Sequence, residues 1–466
     1  MNIDLADFTI KYLEKKGASY AEARLEHHNS NSFVLKNGNV EVSGFGTASG
    51  LGIRFLIENT LGFATVNKLD KEEIKKTIDN SLKLTKRAVK LTEKTTFSVE
   101  KPIKIDYKVK QKIKLDSQDQ SEKLKLILDI DKKLKQLSGR YFSYSDTLSN
   151  KYFTNTEGTS INFEIPRVNF FYFLTIRENN RSIQRYLNYG QSSGLECHKT
   201  WQLEKNILEE VKALKINLNK GISPPKGKID IVAAPEVTGI AVHESGGHPY
   251  EADRIFGREA AQAGESFINQ DMIGKKIGSD VVTVVDDPTV ENSYGFYLYD
   301  DEGVKAKRKF LMKNGKINEF LHNRSSSIQM HLNSNGSARA NNFNVEPIIR
   351  MSNTFMLPGT MKEQELIEDI RLGVYIKNFM EWNIDDVRMN QKYVGNEAYL
   401  IKNGKIEQPV KSPVIEITTP GLYSSVDAVA NNLKYFAGNC GKGEPMQGIP
   451  VFMGGPSIRL RGVKLG

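Results

Sequence analysis

The chain has 466 residues and a mass of 52.5 kDa, which is longer than one ordinary domain and predicts two. Its hydrophobic fraction of 39% is typical of a globular protein, and no apolar run approaches the ~20 residues that a membrane helix requires, which excludes a helical membrane protein. Two cysteines are too few for a disulfide framework, and the N-terminus lacks the basic start and apolar middle of a signal peptide, so we expect a cytoplasmic protein without membrane contact.

The net charge of +9 raises the question of an anionic partner. The excess lies in residues 101–140, where lysines alternate with isoleucine and leucine and are interrupted by acidic residues. The segment has no interleaved aromatic residues and no recognised nucleic-acid motif. We therefore favour a solvated amphipathic helix or linker over a binding arm, and expect no specific nucleic-acid partner.

The first half predicts a sheet with amphipathic helices. The pair Asn37-Gly38 between alternating segments indicates a β-hairpin. Glycines at positions 44, 46, 50 and 52 lack the spacing of a phosphate-binding loop, and we interpret them as bulges or tight turns. The pattern predicts helices at residues 1–17, 70–90, 121–137 and 200–214, and strands at 22–26, 32–42, 53–57, 62–65, 152–155 and 168–176, the last two joined by a turn at 157–158.

A Pro-Pro-Lys-Gly sequence at residues 224–227 indicates a domain boundary. Beyond it, short strands and turns predominate, with Asn-Gly hairpin signals at 314–315 and 403–404 and a predicted helix at 361–371. The acidic residues 299–303 lack the alternating ligands of a calcium loop, and we interpret them as a turn. The pattern predicts a largely antiparallel domain, barrel-like or sandwich-like.

Residues 243–248 have the sequence HESGGH and follow an apolar run. The imidazoles of His243 and His248 can bind a divalent metal such as zinc, and the carboxylate of Glu244 can take a proton from a water that the metal makes more acidic. A spacing of five residues places the histidines about 140° apart on a straight α-helix. We therefore predict a π-type turn, which Pro249 and the two glycines favour. The alternative is a helix end with two incidental histidines.

Cys440 lies in a glycine-rich run, residues 438–443, that does not have the spacing of a P-loop. Taken alone, it is best interpreted as a buried structural cysteine. A catalytic zinc, however, uses three protein ligands, and the two histidines leave one position open. Cys440, in a predicted glycine-bounded loop, is favoured as the third ligand over the nearby carboxylates of Glu251 and Asp253.

These residues together resemble the catalytic TldD branch of the TldD/PmbA family of metalloproteases. The resemblance spans almost the full length, but is faint in the first half. Pro249 and residues 379–386 depart from the glycines frequent in the family at these places. The motifs follow the family's order: the HExxxH sequence at 243–248, the EAD at 251–253, LYDDEG at 298–303, LH at 321–322 before Arg324, RMSNT at 350–354, CGK at 440–442 and GIPV at 448–451.

The resemblance implies an α+β fold, with an N-terminal mixed α/β domain at residues 1–222. A C-terminal, mainly antiparallel β, barrel-like domain at residues 223–466 would carry the metal-site helix. It also implies zinc (Zn2+) held by His243, His248 and Cys440. Dimers are implied as well, either of identical chains or with a TldE/PmbA-like paralogue.

We therefore predict a zinc-dependent metallopeptidase that hydrolyses short or unfolded peptides. Glu244 is the predicted catalytic proton acceptor. His322 is interpreted either as a transition-state or substrate contact, or as a satisfied core histidine. The alternative function is a non-catalytic regulator of the topoisomerase-modulator type that binds a protein or nucleic-acid partner, a class that would not need the metal-ligand set.

Overall fold

The computed structural model describes residues 1–257, 265–443 and 446–465. Helices and strands are interspersed along the chain, which confirms the predicted α+β class. The strands of the first half are β1 (Tyr20–Lys36), β2 (Asn39–Ile57), β3 (Thr60–Val66), β4 (Lys104–Lys108), β5 (Gly139–Asn155), β6 (Ser160–Glu178) and β7 (Arg181–Gln191). They form one sheet in the order β3-β2-β1-β5-β6-β4, with β7 also paired to β6. Neighbouring strands run antiparallel, apart from the parallel pair β4 and β6.

Helices cover this sheet and agree broadly with the predicted positions. Their starts follow from local capping: the side chain of Asp70 accepts bonds from two backbone N–H groups at the start of α2, and Asp119 and Glu122 form a capping box on α3. The predicted helix at 200–214 is instead broken at Gln202, which has a left-handed φ of 46°. The helices are α1 (Asp4–Lys15), α2 (Lys71–Ala88), α3 (Gln120–Lys133), α4 (Cys197–Trp201) and α5 (Leu203–Lys220).

The glycines of β2 do not form the predicted bulges or turns. The pairing of β2 with β1 is continuous through residues 44–52, β3 pairs with β2 from Leu51 onward, and the register shift lies near Val34 of β1 instead. A Cβ at Gly50 would overlap the ring of Phe343, and a Cβ at Gly52 would overlap its carbonyl oxygen. These two glycines therefore let a loop from the second half pack directly on the strand.

The second half is mainly antiparallel, as predicted. Its strands are β8 (Gly227–Ala233), β9 (Val284–Asp286), β10 (Lys309–Lys313), β11 (Lys316–Ile317), β12 (Ala338–Arg339), β13 (Ile348–Ile349), β14 (Asn353–Met356), β15 (Leu372–Ile376), β16 (Phe379–Ile384), β17 (Asn390–Gly395), β18 (Ala398–Lys402), β19 (Lys405–Pro409), β20 (Val414–Thr418), β21 (Val426–Val429), β22 (Lys434–Lys442), β23 (Gln447–Gly455) and β24 (Ile458–Leu465). One sheet has the order β11-β10-β9-β14-β23-β22, and another has the order β16-β17-β20-β24-β8-β15-β18-β19. The pairs β14–β23 and β8–β15 are parallel.

Turn chemistry sets the hairpins of both halves. Asn37, Asn314 and Asn403 have φ of 51°, 48° and 50°, and the glycine after each has φ of 87°, 71° and 76°. Positive φ at both positions is the geometry of a type I′ turn, so all three predicted hairpins are confirmed. Residues 299–303 also form the predicted turn, since Asp300 accepts bonds from the N–H groups of Glu302 and Val304.

The helices of the second half are α6 (Pro235–Gly246), α7 (Ala252–Ile255), α8 (Arg324–Gln329), α9 (Glu363–Glu368) and α10 (Thr419–Ser425). Every residue of α6 is buried, and α6 is central to a core that includes residues of both sheets of this half. α9 is shorter than the helix predicted at 361–371. Among the described helices, none is both long and apolar enough to span a membrane.

Buried ion pairs connect the two halves of the chain. Arg54 of β2 bonds Glu22 at 2.9 Å and Glu302 of the acidic turn at 2.7 Å. Arg185 of β7 contacts Glu236, at the start of α6, at 2.6 Å. The acidic turn, residues 299–303, thus also contributes a buried ion pair that connects the two halves of the chain. The division of the chain into residues 1–222 and 223–466 stays a prediction.

One lysine of the basic segment is not solvated. Lys123 on α3 is buried, pairs with buried Asp146 at 2.9 Å and donates to the carbonyl of Leu115 at 2.7 Å. Breaking a buried pair leaves an uncompensated charge, so we expect Lys123→Ala to reduce stability by about 3–5 kcal/mol. Denaturant unfolding followed by circular dichroism measures the change.

The matched control is Lys125→Ala on the same helix, because Lys125 pairs with Asp129 at the solvent-exposed surface. This control should unfold like the wild type. Equal destabilisation by the two variants would show that burial of Lys123 is not the cause.

Candidate metal centre

Helix α6 ends between the two histidines of the motif. The helix ends at Gly246, the N–H of Gly247 still bonds the carbonyl of His243, and a 3₁₀ turn from His248 to Tyr250 follows. Gly247 has φ of −110° and ψ of −70°, and a Cβ there would overlap the sulfur of Met351. The predicted π-type turn is therefore wrong: a break at Gly247, not an i to i+5 bond, turns His248.

The break brings three possible metal ligands together. The imidazole centroids of His243 and His248 are 5.1 Å apart, and Sγ of Cys440 lies 3.4 Å from Nε2 of His248. Ligand atoms of these three residues all lie within 4.8 Å of one another. Nδ1 of His243 is buried and has no hydrogen-bond partner among the described residues. Two nitrogens and one sulfur at this spacing fit a zinc ion.

Cys440 reaches the histidines from a strand rather than from the predicted loop. It lies in β22, where it is opposite Ile449 of β23, and α6 packs against both strands. Gly239 allows α6 to pack closely on β23, because a Cβ at this position would lie 3.3 Å from the backbone of Met453. The sheet therefore fixes the position of the thiol.

Burial and neighbouring charges shift the pKa values of these three groups toward the protonation states that bind a metal. Burial lowers the pKa of both imidazoles, which favours the neutral form that binds metals. Burial alone would raise the pKa of the Cys440 thiol, but His248 and the guanidinium of Arg350 outweigh it and lower this pKa to about 7. The thiolate is the form that coordinates zinc.

The two alternative ligands have other partners. Oε2 of Glu251 lies 3.0 Å from Nδ1 of His248, and Asp253 accepts from Nζ of Lys442 at 2.7 Å. Burial opposes ionisation of Glu251, yet Lys442, His248 and Arg254 hold the pKa of its carboxyl well below the usual value. A carboxylate on the second ring nitrogen orients a metal-binding histidine, and Glu251 has this geometry.

Glu244 has a partner that the sequence did not reveal. Nη1 of Arg388 bonds Oε2 of Glu244 at 2.6 Å. Arg388 has φ of 65°, which costs about 1–2 kcal/mol for a residue with a Cβ. The hydroxyl of Thr419 donates to its carbonyl at 2.6 Å and helps to hold this conformation. No sequence pattern marks an arginine in a left-handed turn, so only the fold identifies it.

A cavity of about 440 Å³ opens onto these residues. His243, Glu244, His248, Arg388 and Cys440 line it. Its other walls come from both halves of the chain and include the aromatic residues Phe171, Tyr186, Phe379, Trp382 and Phe436. A cavity with an apolar lining and a few convergent polar groups is typical of a ligand site.

The structure does not bring His322 to this cavity. His322 is buried, its Nδ1 lies 3.1 Å from the hydroxyl of Ser326, and it is absent from the cavity lining. Burial lowers its pKa to about 4. His322 therefore lies in the core outside this cavity, but its Nε2 has no hydrogen-bond partner among the described residues, so its role stays a prediction.

Comparison with known protein families gives matches along most of the chain. The family model described as the PmbA/TldA metallopeptidase C-terminal domain matches residues 226–466, and those of domain 1 and the central domain match residues 21–85 and 113–216. The chain belongs to the PmbA/TldD metallopeptidase family. This confirms the resemblance predicted from the motifs.

Curated relatives in this family have metalloprotease names. A metalloprotease of Methanocaldococcus jannaschii is 33% identical over 448 residues, covering 94% of this chain and 95% of that protein. A zinc metalloprotease TldD homolog of Saccharolobus solfataricus is 25% identical over 465 residues, covering 98% of each chain. These names support a protease, and one of them includes zinc.

Solved structures share the fold. A candidate modulator of a DNA gyrase from Thermotoga maritima has a TM-score of 0.80 at 17% identity, with 100% of both chains covered. TldE from Thermococcus kodakarensis has a TM-score of 0.77 at 17% identity, with 99% of both chains covered. At these identities the likeness concerns the fold alone.

Proposed function

We propose that this protein is a zinc-dependent metallopeptidase that hydrolyses short or unfolded peptides. The observation that carries the proposal is the buried set of His243, His248 and Cys440, with ligand atoms within 4.8 Å of one another, beside Glu244 at one cavity. The zinc metalloprotease name of a relative supports the choice of metal.

Each residue of the site has a role in this proposal. His243, His248 and Cys440 hold the ion, and Glu251 orients His248 through Nδ1. When bound, zinc supplies Lewis acidity, which polarises a carbonyl and makes a water more acidic. Glu244 takes a proton from the attacking water and later gives it to the leaving amine. Arg388 fixes the position of the Glu244 carboxylate through Oε2.

The cavity suggests how a peptide binds. β7 contributes Tyr186, Leu187 and Asn188 to one wall, and β22 contributes residues 436–441 to another. In the described chain, β22 is the last strand of its sheet, so one of its edges pairs with no other strand. Pairing along β22 gives main-chain affinity with little sequence preference, and the aromatic wall accepts an apolar side chain.

Metal content and cleavage together test this function. Protein purified without added metal should contain close to one zinc per chain by mass spectrometry and should cleave an unstructured peptide. A chelator should abolish cleavage, and added zinc should restore it. Undiminished cleavage by fully metal-free protein would refute the proposal.

We also propose that the active species is a dimer, either of identical chains or with a TldE/PmbA-like partner. The structural likeness to TldE supports a partner of this fold. Light scattering of the purified chain distinguishes a homodimer from a monomer that needs a different partner.

The rival function is a non-catalytic regulator that binds a protein or nucleic-acid partner, and the gyrase-modulator description of a structural neighbour supports considering it. If the lysines of residues 101–140 form only a solvated face, duplex DNA should bind weakly and lose affinity steeply as salt rises. Fluorescence anisotropy between 50 and 200 mM salt, about the range over which phosphate contacts weaken, measures this dependence. Tight binding that survives the higher salt would favour the regulator.

A further inference from the structure

A second cavity of about 360 Å³ lies between the sheet of the first half and loops of the second. It shares no lining residue with the metal cavity. Its walls are rich in hydroxyl and amide side chains, among them Ser145, Thr147, Asn169, Asn341 and Asn342. Such groups suit a polar ligand.

Two arginines of this cavity have neutral partners. Arg167 donates from Nε and Nη2 to the carbonyls of Tyr294 and Phe296, each at 3.3 Å. Arg339 donates from Nη1 and Nη2 to the carbonyls of Met351 and Pro450, at 2.7 and 2.9 Å. Within the described ranges, neither arginine has a carboxylate within ion-pair distance. A guanidinium has five N–H groups, so each retains donors for a ligand.

Two acidic groups near this cavity already have cationic partners. Asp301 lies 3.1 Å from Nζ of Lys151 and 3.8 Å from Nη1 of Arg24, and Glu26 lies 3.0 Å from Arg24 and 3.5 Å from Lys151. The positive charges of Arg24 and Lys151 therefore balance the negative charges of Asp301 and Glu26. Burial, together with Glu302, raises the pKa of Asp300 well above its usual value, and its two oxygens accept from the backbone N–H groups of Glu302, Val304 and Ala338.

Arg167, which is half-buried, and Arg339, which is buried, thus have no ion-pair partner among the described residues. Buried charges are ordinarily paired, because an unpaired charge in a low-dielectric interior is costly. Burial lowers the pKa of Arg339 to about 10, as expected for a guanidinium without an anionic partner. An anion from outside the chain would supply the missing partner and form charge-assisted hydrogen bonds.

We propose that this cavity is a binding site for a small dianion, a phosphate or a dicarboxylate, held between Arg167 and Arg339. The volume of the cavity, at the lower end of the range for ligand pockets, suits a compact molecule. Gly448, Ile449 and Pro450 also line it and pair with Gly441, Cys440 and Asn439 of β22. The proposed site therefore shares the strand pair β22–β23 with the metal centre.

Isothermal titration calorimetry on the full chain tests this site with three probes: inorganic phosphate, succinate and, as a monovalent control, acetate. We expect saturable binding of phosphate, succinate or both at one site per chain, and the two titrations identify which chemistry is preferred. Acetate should bind at least tenfold more weakly. Protein with and without zinc should give the same result, because no metal ligand lines the cavity.

Arg167→Gln and Arg339→Gln should each weaken dianion binding at least tenfold. The matched control is Arg177→Gln, which changes an exposed arginine on the same strand as Arg167 and should bind like the wild type. Circular dichroism checks that each variant is folded, and either arginine variant suffices if the other does not fold. No saturable dianion binding by the wild type, equal binding of acetate, or wild-type binding by the folded arginine variants would overturn the proposal.

Discussion

Replacing Glu244 with glutamine is expected to leave zinc bound and to reduce peptide hydrolysis by about 10³-fold. Glutamine keeps the size of the side chain but cannot accept the proton of the attacking water, and no proposed metal ligand is changed. Because only the proton transfer is lost, the decrease should be in kcat. Steady-state kinetics and zinc content, measured on the same preparation, check both parts.

The contact between Arg388 and Glu244 affects how this variant is tested. Arg388 contacts Oε2 of Glu244, so the glutamine variant also leaves a guanidinium without its anionic partner, and its folding must be checked. The matched control is Glu381→Gln on β16, next to the cavity residue Trp382, because the side chain of Glu381 is exposed and bonds Asn383. Wild-type turnover in a folded, zinc-loaded Glu244→Gln protein would remove Glu244 from the mechanism.

Replacing Cys440 with alanine is expected to lower zinc occupancy and peptide hydrolysis together. Removal of a ligand should cost more than the roughly 10- to 100-fold in metal affinity that loss of an outer partner costs. The thiol lies 3.4 Å from Nε2 of His248, and alanine leaves the two histidines as an incomplete site. Competition with a zinc-binding dye gives the affinity of each protein.

The chain supplies its own control for this variant. Cys197 is also buried, burial raises the pKa of its thiol to about 12, and it lies in α4, in the core of the first half. Cys197→Ala should therefore leave zinc content and turnover nearly unchanged. If Cys440→Ala kept full zinc and turnover while Glu251→Ala or Asp253→Ala lost the metal, the ligand assignment would be wrong and the peptidase proposal could still stand.

Much of the fold follows from signals that act over a few residues. Each of the three Asn-Gly pairs has positive φ at both positions, which these residue types favour locally, so the three hairpins were predictable. The same holds for the helix starts at Asp70 and Asp119, whose side chains bond the first free N–H groups. The reason for Gly50 and Gly52 of β2 is not evident from the sequence, because the residue that leaves no room for a Cβ there, Phe343, is almost three hundred residues away.

The sequence by itself determined the chemistry available at the candidate metal centre: His243, Glu244 and His248 are neighbours in the chain, and the motifs around them indicated the family and Cys440. The tertiary structure decided how these groups meet. The break at Gly247 lies against Met351, which leaves no room for a Cβ, the thiol is positioned by the pairing of β22 with β23, and Arg388 reaches Glu244 from a turn 144 positions away. Such contacts depend on how strands pair and pack across the whole chain, and periodicity, which describes only neighbours within a few turns, does not contain that information.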